Sequence, residues 1–195
     1  MKISFFDFDG TITTKDSLAD FVKFAVGKQN YYLGLLILSP VLIRYIFNFV
    51  SNNMAKEKLL YHFFNGWNIN RFQQISDKYG LERIDKIIRP KAIEKIKWHQ
   101  QKGHEVVVVS ASMENWLIAW CQKNNLNLIS TKLEVKDNLL TGRFSTLNCN
   151  GIEKVNRIKE KYCLEDYEVI YAYGDSKGDK EMLSIADKKY YKYFE

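Results

Sequence analysis

Residues 1–13 read MKISFFDFDGTIT, and within them residues 2–9, KISFFDFD, decide the fold. Ile3, Phe5, Phe6 and Phe8 give the density of apolar side chains expected of a strand buried on both faces. The strand nevertheless ends in two carboxylates, Asp7 and Asp9, one residue apart. A buried strand tolerates acidic residues only where something outside the strand compensates them.

Two further segments resemble this one. Residues 104–110, HEVVVVS, and 168–174, EVIYAYG, read as strands, and the near-continuous valine run again implies cover on both faces. Between them the spacing changes to that of helices. Met113, Trp116, Leu117, Trp120 and Cys121 recur at helical intervals, as do Ile152, Val155, Ile158 and Tyr162. Strands alternating with helices predict an α/β fold, a doubly wound parallel sheet of Rossmann-like type. Residues 132–144, KLEVKDNLLTGRF, predict a hairpin appended to that sheet, with Asp137 and Asn138 in the turn, and the tail KKYYKYF predicts an edge strand.

Residues 15–88 contain no strand pattern. Leu18, Phe21, Val22 and Ala25 form a helical stripe, and Gly27, Gly66 and Gly80 are expected helix stops. The expected organisation is therefore a core domain from residues 1–14 and 89–195, with an all-helical domain, 15–88, inserted after the first strand. Pro90 fits the first turn of a helix leading to Gly103 and back into the sheet.

At 195 residues with 46% hydrophobic composition, the chain can bury one full core and a smaller lobe. The formal charge of +6 is spread without any run of five like charges, which suits small anionic ligands and argues against a nucleic-acid footprint. Cys121, Cys149 and Cys163 are odd in number and form no CxxC, so buried reduced thiols and a cytoplasmic location are expected. No charged and then apolar leader precedes the first strand, which argues against secretion. One segment is membrane-like in composition: Tyr31 to Val50. The uncharged stretch from Gln29 to Ile43 is 15 residues long, below the roughly 20 needed to span a bilayer, and Pro40 and Arg44 interrupt the segment. Burial inside the helical lobe, with a break at Pro40, is the expectation, and membrane contact is the runner-up. His62, His99 and His104 lack metal-ligand spacing and are expected at the surface or as satisfied polar groups, and the four tryptophans are expected in the core.

Open α/β sheets bind ligands at the carboxyl ends of their strands. The polar residues expected there are Asp7 and Asp9 after the first strand, Ser110 after the valine strand, and Asp175 and Asp179 after the tyrosine-rich strand. Residues two apart on a strand lie on one face about 6.6 Å apart, so Asp7 and Asp9 can approach one bound group. Like charges converging to about 4 Å repel by roughly 4 kcal/mol per pair at an effective dielectric of 20, so a cation is required among them. An all-oxygen set without His or Cys points to Mg²⁺. Lys154 is a second cation, placed in the first turn of a predicted helix where the macrodipole disfavours it, and an anion in the crevice accounts for it there.

The set DFDGT (Asp7 to Thr11), VVVVSAS (containing Ser110), GIEK (ending at Lys154) and GDSKGD (Gly174 to Asp179), in this order, resembles the four motifs of the haloacid dehalogenase (HAD) superfamily of hydrolases. The helical insert resembles the cap of the subfamily that contains phosphoserine phosphatase. The resemblance implies a Mg²⁺-dependent phosphomonoester hydrolase acting through an aspartyl-phosphate on Asp7, with Asp9 as general acid and base. It implies metal ligation by Asp7, the backbone carbonyl of Asp9 and Asp175, supported by Asp179. It also implies phosphate binding by Ser110, Ala111 and Lys154, and a cap that closes over the crevice.

The substrate is read less directly. Phosphoserine phosphatases of this kind carry DxDST and a glutamate nine residues after the nucleophile, whereas this chain has DxDGT and Asp16. Asp16 can still meet an amine, so a small phosphoserine-like metabolite is the expected substrate. No arginine matches the cap position for a substrate carboxylate; Lys56 and Lys58 are the basic residues nearby. The alternatives are a membrane-surface lipid-phosphate phosphatase resembling phosphatidylglycerophosphatase, and a non-hydrolytic receiver-type or phospholigand-binding module. A receiver module has neither a helical insert after its first strand nor a counterpart of Asp179.

Overall fold

A computed structural model describes residues 1–195. Every side chain of Ile3, Ser4, Phe5 and Phe6 is fully buried, and the alternation of the strand sends them to two different cores. Ile3 and Phe5 join Val107, Val109, Ile158 and Met182 on one face. Phe6 joins Val106, Val108, Ile96, Trp116 and Trp120 on the other. Helices thus cover the sheet on both sides, as the apolar runs require.

Five parallel strands build that sheet: β1 (Lys2–Phe6), β2 (Glu105–Met113), β3 (Asn127–Thr131), β6 (Val169–Gly174) and β7 (Lys188–Tyr191), in the order β3-β2-β1-β6-β7. Phe5 is paired with Val107 on one side and Ala172 on the other. The order reverses between β1 and β6, so the crevice lies where Asp7 and Asp175 leave their strands. The predicted doubly wound sheet is present, with differences at its ends. β1 stops at Phe6 rather than Asp9, because residues 8–12 coil into a helical turn in which Gly10 takes φ +85°. β2 runs on to Met113, and β3, whose NLIST has no apolar run, is a strand that hydropathy alone does not reveal.

Four helices follow β1: α1 (Ser17–Val26), α2 (Lys28–Ile46), α3 (Asn52–Phe64) and α4 (Ile69–Glu82). Two strand-like connectors tie them to the sheet. Thr13 bridges Ile88, Thr14 N–H donates to the Ile87 carbonyl at 2.8 Å, and Arg89 N–H donates to the Ile12 carbonyl at 2.8 Å. The remaining helices are α5 (Pro90–Gln101), α6 (Glu114–Lys123), α7 (Ile152–Lys161) and α8 (Lys180–Ser184). Pro90 occupies the first turn of α5, and Gly103 ends the segment at φ +69°.

Several expectations need correcting. Gly80 is not a stop but lies within α4, where a Cβ would come within 3.1 Å of the Trp116 carbonyl oxygen and 3.2 Å of Ala119. Its role is close helix packing against α6. Pro40 does not break its helix: α2 continues through it, with the proline on the exposed side. The hairpin, β4 (Leu133–Lys136) and β5 (Leu139–Phe144), is a separate two-stranded sheet. Its turn does hold Asp137 and Asn138, both with positive φ. The hairpin docks on the inserted helices: Leu140 exchanges backbone bonds with Gly66 and Trp67, and Phe144 N–H donates to Glu57 at 3.0 Å. Trp116 and Trp120 are buried, but Trp98 is 37% exposed, and Cys163 is exposed while Cys121 and Cys149 are buried.

The largest departure is Tyr31 to Val50, which is not buried. Only Tyr31, Gly34 and Leu38 of α2 are buried, while Leu36, Ile37, Ile46, Phe47 and Phe49 are each more than 60% exposed. The insert is one layer thick there. α1 and α3 cover the inner side of α2, and no element covers the outer side.

Candidate active site

Asp7 leaves β1 with its backbone N–H bonded to the Tyr173 carbonyl at 2.9 Å, so the two central strands fix its position. Its Oδ1 accepts from Lys154 Nζ at 2.5 Å, and its Oδ2 accepts from Thr11 Oγ1 at 3.2 Å. Lys154 lies in the first turn of α7 and is only 1% exposed, so the first-turn lysine is a buried counter-ion rather than a surface group. Its three donors are fully used, on Asp7, on Asp179 Oδ1 at 2.6 Å and on the Val109 carbonyl at 2.9 Å. Burial alone would lower the ammonium pKa, but the charges of Asp7 and Asp179 outweigh it and hold Lys154 above the ordinary lysine value. The Asp7 pKa is raised as well, which for an acid favours the neutral form. Burial, with Asp179 and Asp9 nearby, pushes its carboxyl up to about 7 despite Lys154.

Asp175 follows β6 and accepts from Thr11 Oγ1 at 2.8 Å, so one hydroxyl bridges the carboxylates from both strands. Asp179 is buried and held. Its Oδ2 accepts from Asp175 N–H, Ser176 N–H and Ser176 Oγ at 3.2, 2.9 and 2.7 Å, and its Oδ1 faces Lys154. The pairing with Lys154 and these donors keeps its carboxyl below the usual range although burial opposes it. Asp7, Asp175 and Asp179 each offer a carboxylate oxygen within 4.8 Å of the others. Three carboxylates against one ammonium leave a formal charge of −2 in a largely buried pocket, and all the donors are oxygens. That donor set suits a hard divalent cation. Gly10 is part of the fit, since a Cβ there would lie 2.4 Å from Asp175 Oδ2.

Asp9 sits apart from this cluster. Its Oδ1 accepts from Ser17 N–H at 2.6 Å, at the start of α1, and its Oδ2 accepts from Ser112 Oγ at 2.5 Å. Burial, and next the charge of Asp16, push its carboxyl up to about 6. The two carboxylates are therefore placed differently: Asp7 is ion-paired at the cluster, while Asp9 is hydrogen-bonded toward the inserted helices. Ser17 lies outside the sequence motifs, and Ser112, although it ends the VVVVSAS motif, carries no role in the sequence reading. The doubled serine of Ser110-Ala111-Ser112 is the available signal.

Ser110 is fully buried, with its Oγ accepting from Ser112 N–H at 3.0 Å, so it braces the irregular end of β2 that carries Ser112. Ala111 is partly exposed, and its carbonyl accepts from Lys56 Nζ at 3.1 Å and Thr131 Oγ1 at 3.2 Å. Lys56 thus reaches from α3 across to the sheet, whereas Lys58 is exposed. Its ammonium pKa is lowered by burial, with Asp9 and Asp16 opposing the shift. Asp16 caps α1, accepting from Ala19 N–H at 2.9 Å. Arg89, also outside the motifs, donates from Nε to the Gly10 and Thr13 carbonyls, both at 3.1 Å, and pins the turn that carries Asp9 and Gly10.

Comparison with known proteins bears on the family and the fold. The model of the haloacid dehalogenase-like hydrolase family matches residues 4–184. Protein CicA of Caulobacter vibrioides is 32% identical over 191 residues, covering 97% of this chain and 85% of the relative. Probable phosphatase Rv3661 of Mycobacterium tuberculosis is 29% identical over 189 residues, covering 92% of this chain and 64% of the relative. A substrate-bound phosphoserine phosphatase complex superposes with a TM-score of 0.70 at 19% identity, covering 97% of this chain and 85% of that one, a likeness of fold.

Proposed function

The chain belongs to the haloacid dehalogenase-like hydrolases, and from that premise we propose that it is a phosphatase, hydrolysing phosphomonoesters through an aspartyl-phosphate on Asp7. The observation that carries the reading is the contrast between its two strand-end carboxylates. Asp7 is paired with a buried lysine beside two further carboxylates, and Asp9 is held apart in a protonatable setting. Inserted helices and Asp179, the two features a receiver module lacks, are both present.

In the first step Asp7 forms its oxygen–phosphorus bond as the bond from phosphorus to the leaving oxygen breaks, and Asp9 gives its proton to that oxygen. In the second, Asp9 takes a proton from water as the water oxygen bonds to phosphorus and the bond to Asp7 breaks, releasing phosphate. A carboxyl raised toward neutrality suits this exchange. Lys154 orients Asp7 and offsets the charge of the phosphoryl group. The braced end of β2 at Ser110 and Ala111 is assigned to the phosphate oxygens.

The carboxylate cluster fits Mg²⁺, which would be held by the carboxylates of Asp7 and Asp175 and, as the family resemblance implies, by the backbone carbonyl of Asp9. Asp179 serves as a support, because its oxygens are already committed to Lys154, Asp175 N–H and Ser176. When bound, the ion would neutralise the phosphoryl oxygens and help hold phosphorus against Asp7. We assign residues 15–88 as the cap. On its side of the site stand Lys56 and Asp16, opposite charges suited to a small zwitterionic phosphometabolite of phosphoserine type. The test is turnover of a phosphomonoester panel with Mg²⁺, by the native chain and by Asp7→Asn. Hydrolysis by the first and none by the second supports the reading, and equal turnover by both refutes it.

A further inference from the structure

A helix that is apolar on every side belongs inside a protein or against something else. The inner face of α2, through Tyr31, Gly34 and Leu38, packs into the molecule. Its outer face carries Leu36, Ile37, Ile43 and Ile46 and continues into Phe47 and Phe49, with exposures from 54% at Ile43 to 80% at Phe49. A contiguous apolar surface of this kind marks a contact site. No helix is long and apolar enough to cross a membrane, so the segment does not span one.

The charges around the patch indicate what it contacts. No acidic residue occurs between Asp20 and Glu57, while Lys23, Lys28, Arg44 and Lys56 fall in that interval. Lys28 and Arg44 are exposed at the two ends of α2. A second copy seated symmetrically on this face would bring its own Lys28 and Arg44 with no carboxylate in the interval to meet them. An anionic surface with an apolar interior meets both the apolar side chains and the cations.

We propose that the outer face of α2 and the turn through Phe49 seat on an anionic lipid bilayer. The patch is close to the site. Asn52 and Asn53, just after Phe49, accept from Asn148 Nδ2 at 3.3 and 2.7 Å, and Lys56 on the same helix reaches Ala111. The crevice is therefore held beside the lipid surface, facing phosphorylated molecules at or near it.

The test is co-sedimentation of the full chain with vesicles of phosphatidylcholine and phosphatidylglycerol in equal parts, against vesicles of phosphatidylcholine alone. The native chain is expected to sediment with the anionic vesicles and to be released by high salt. Arg44→Glu should weaken partitioning by at least about fivefold. The combined variant Leu36→Ser, Ile37→Ser, Phe47→Ser and Phe49→Ser should abolish it while keeping the circular dichroism spectrum and the turnover of a soluble ester. Absence of native binding to anionic vesicles overturns the proposal, as does equal partitioning of native chain and Arg44→Glu. So does a native dimer in sedimentation velocity that the serine variant dissolves without any vesicle binding. The readout is sedimentation, so the docking surface can fail while the phosphatase reading stands, and the reverse.

Discussion

At the residue level, the site depends on how charge is distributed around Lys154. Removing a buried ammonium strands Asp7 and Asp179 against each other, whereas removing one carboxylate relieves a crowded anionic pocket. In excess chelator, Lys154→Ala should therefore lose about 3 to 5 kcal/mol of unfolding free energy, and Asp7→Asn should lose little or none. Urea unfolding followed by circular dichroism checks this, and equal losses in both variants would mean that the ion pair does not organise the pocket. Asp9 is separable by chemistry. A general acid matters most for a poor leaving group, so Asp9→Asn should slow an alkyl phosphate on the order of 10² to 10⁴-fold and an aryl phosphate with an acidic phenol much less. Equal slowing of both esters in steady-state assays would remove the proton-transfer role.

Elements carry the site because their ends are pinned, and the pins differ in how visible they are in a sequence. β1, β2, β6, the hairpin turn and the start of α5 declare themselves through valine and aromatic runs, Asp137-Asn138 and Pro90, because local chemistry alone dictates them. So do Asp7, Asp9, Lys154, Asp175 and Asp179, each at a strand end or helix start. β3 is silent, since its pairing with β2 outweighs a weak local pattern. Arg89 is silent too, and the partners of Ser112 and Lys56 are not legible although both residues lie in or near the segments read, because each meets its partner across a long stretch of chain. The exposure of α2 cannot be read from hydropathy, which reports what a face prefers and not whether a neighbour exists to cover it. Gly142 shows the same long-range dependence: at φ +73°, its Cβ would stand 2.3 Å from Tyr61 Cα, against the backbone of α3. Gly142→Ala should cost about 1 to 3 kcal/mol, lowering the melting temperature by several degrees. An unchanged melting temperature would show that the hairpin does not dock on α3 so closely.

Across the whole molecule, the buried aromatic layer on one side of the sheet contains an ionisable group that has no part in the chemistry. His99 is fully buried in α5, with Nε2 2.9 Å from Tyr173 Oη and Nδ1 2.8 Å from His104 Nδ1. Burial, then the neighbouring His104 and Lys95, depress its pKa to about 3, from 6.5. The sign follows from proton counting. Between those two values the unfolded chain binds a proton that the folded chain refuses, so stability rises with pH across the interval and is lost as pH falls below about 6.5. The depressed carboxyls of Asp20 and Asp179 push in the same direction, but only as pH falls toward the unfolded carboxylate value near 4. Between pH 7 and pH 5 the raised carboxyls of Asp7 and Asp9 act in the opposite sense, since the folded chain takes up protons there that the unfolded chain does not. The histidine layer, His104 included because burial lowers its pKa as well, is therefore read from the difference between two proteins that share those carboxyls. His99→Gln removes the buried imidazole, and the difference in unfolding free energy between pH 7 and pH 5 should shrink relative to the native chain. If both proteins lose the same stability over that interval, the buried imidazole is not the source of the acid sensitivity.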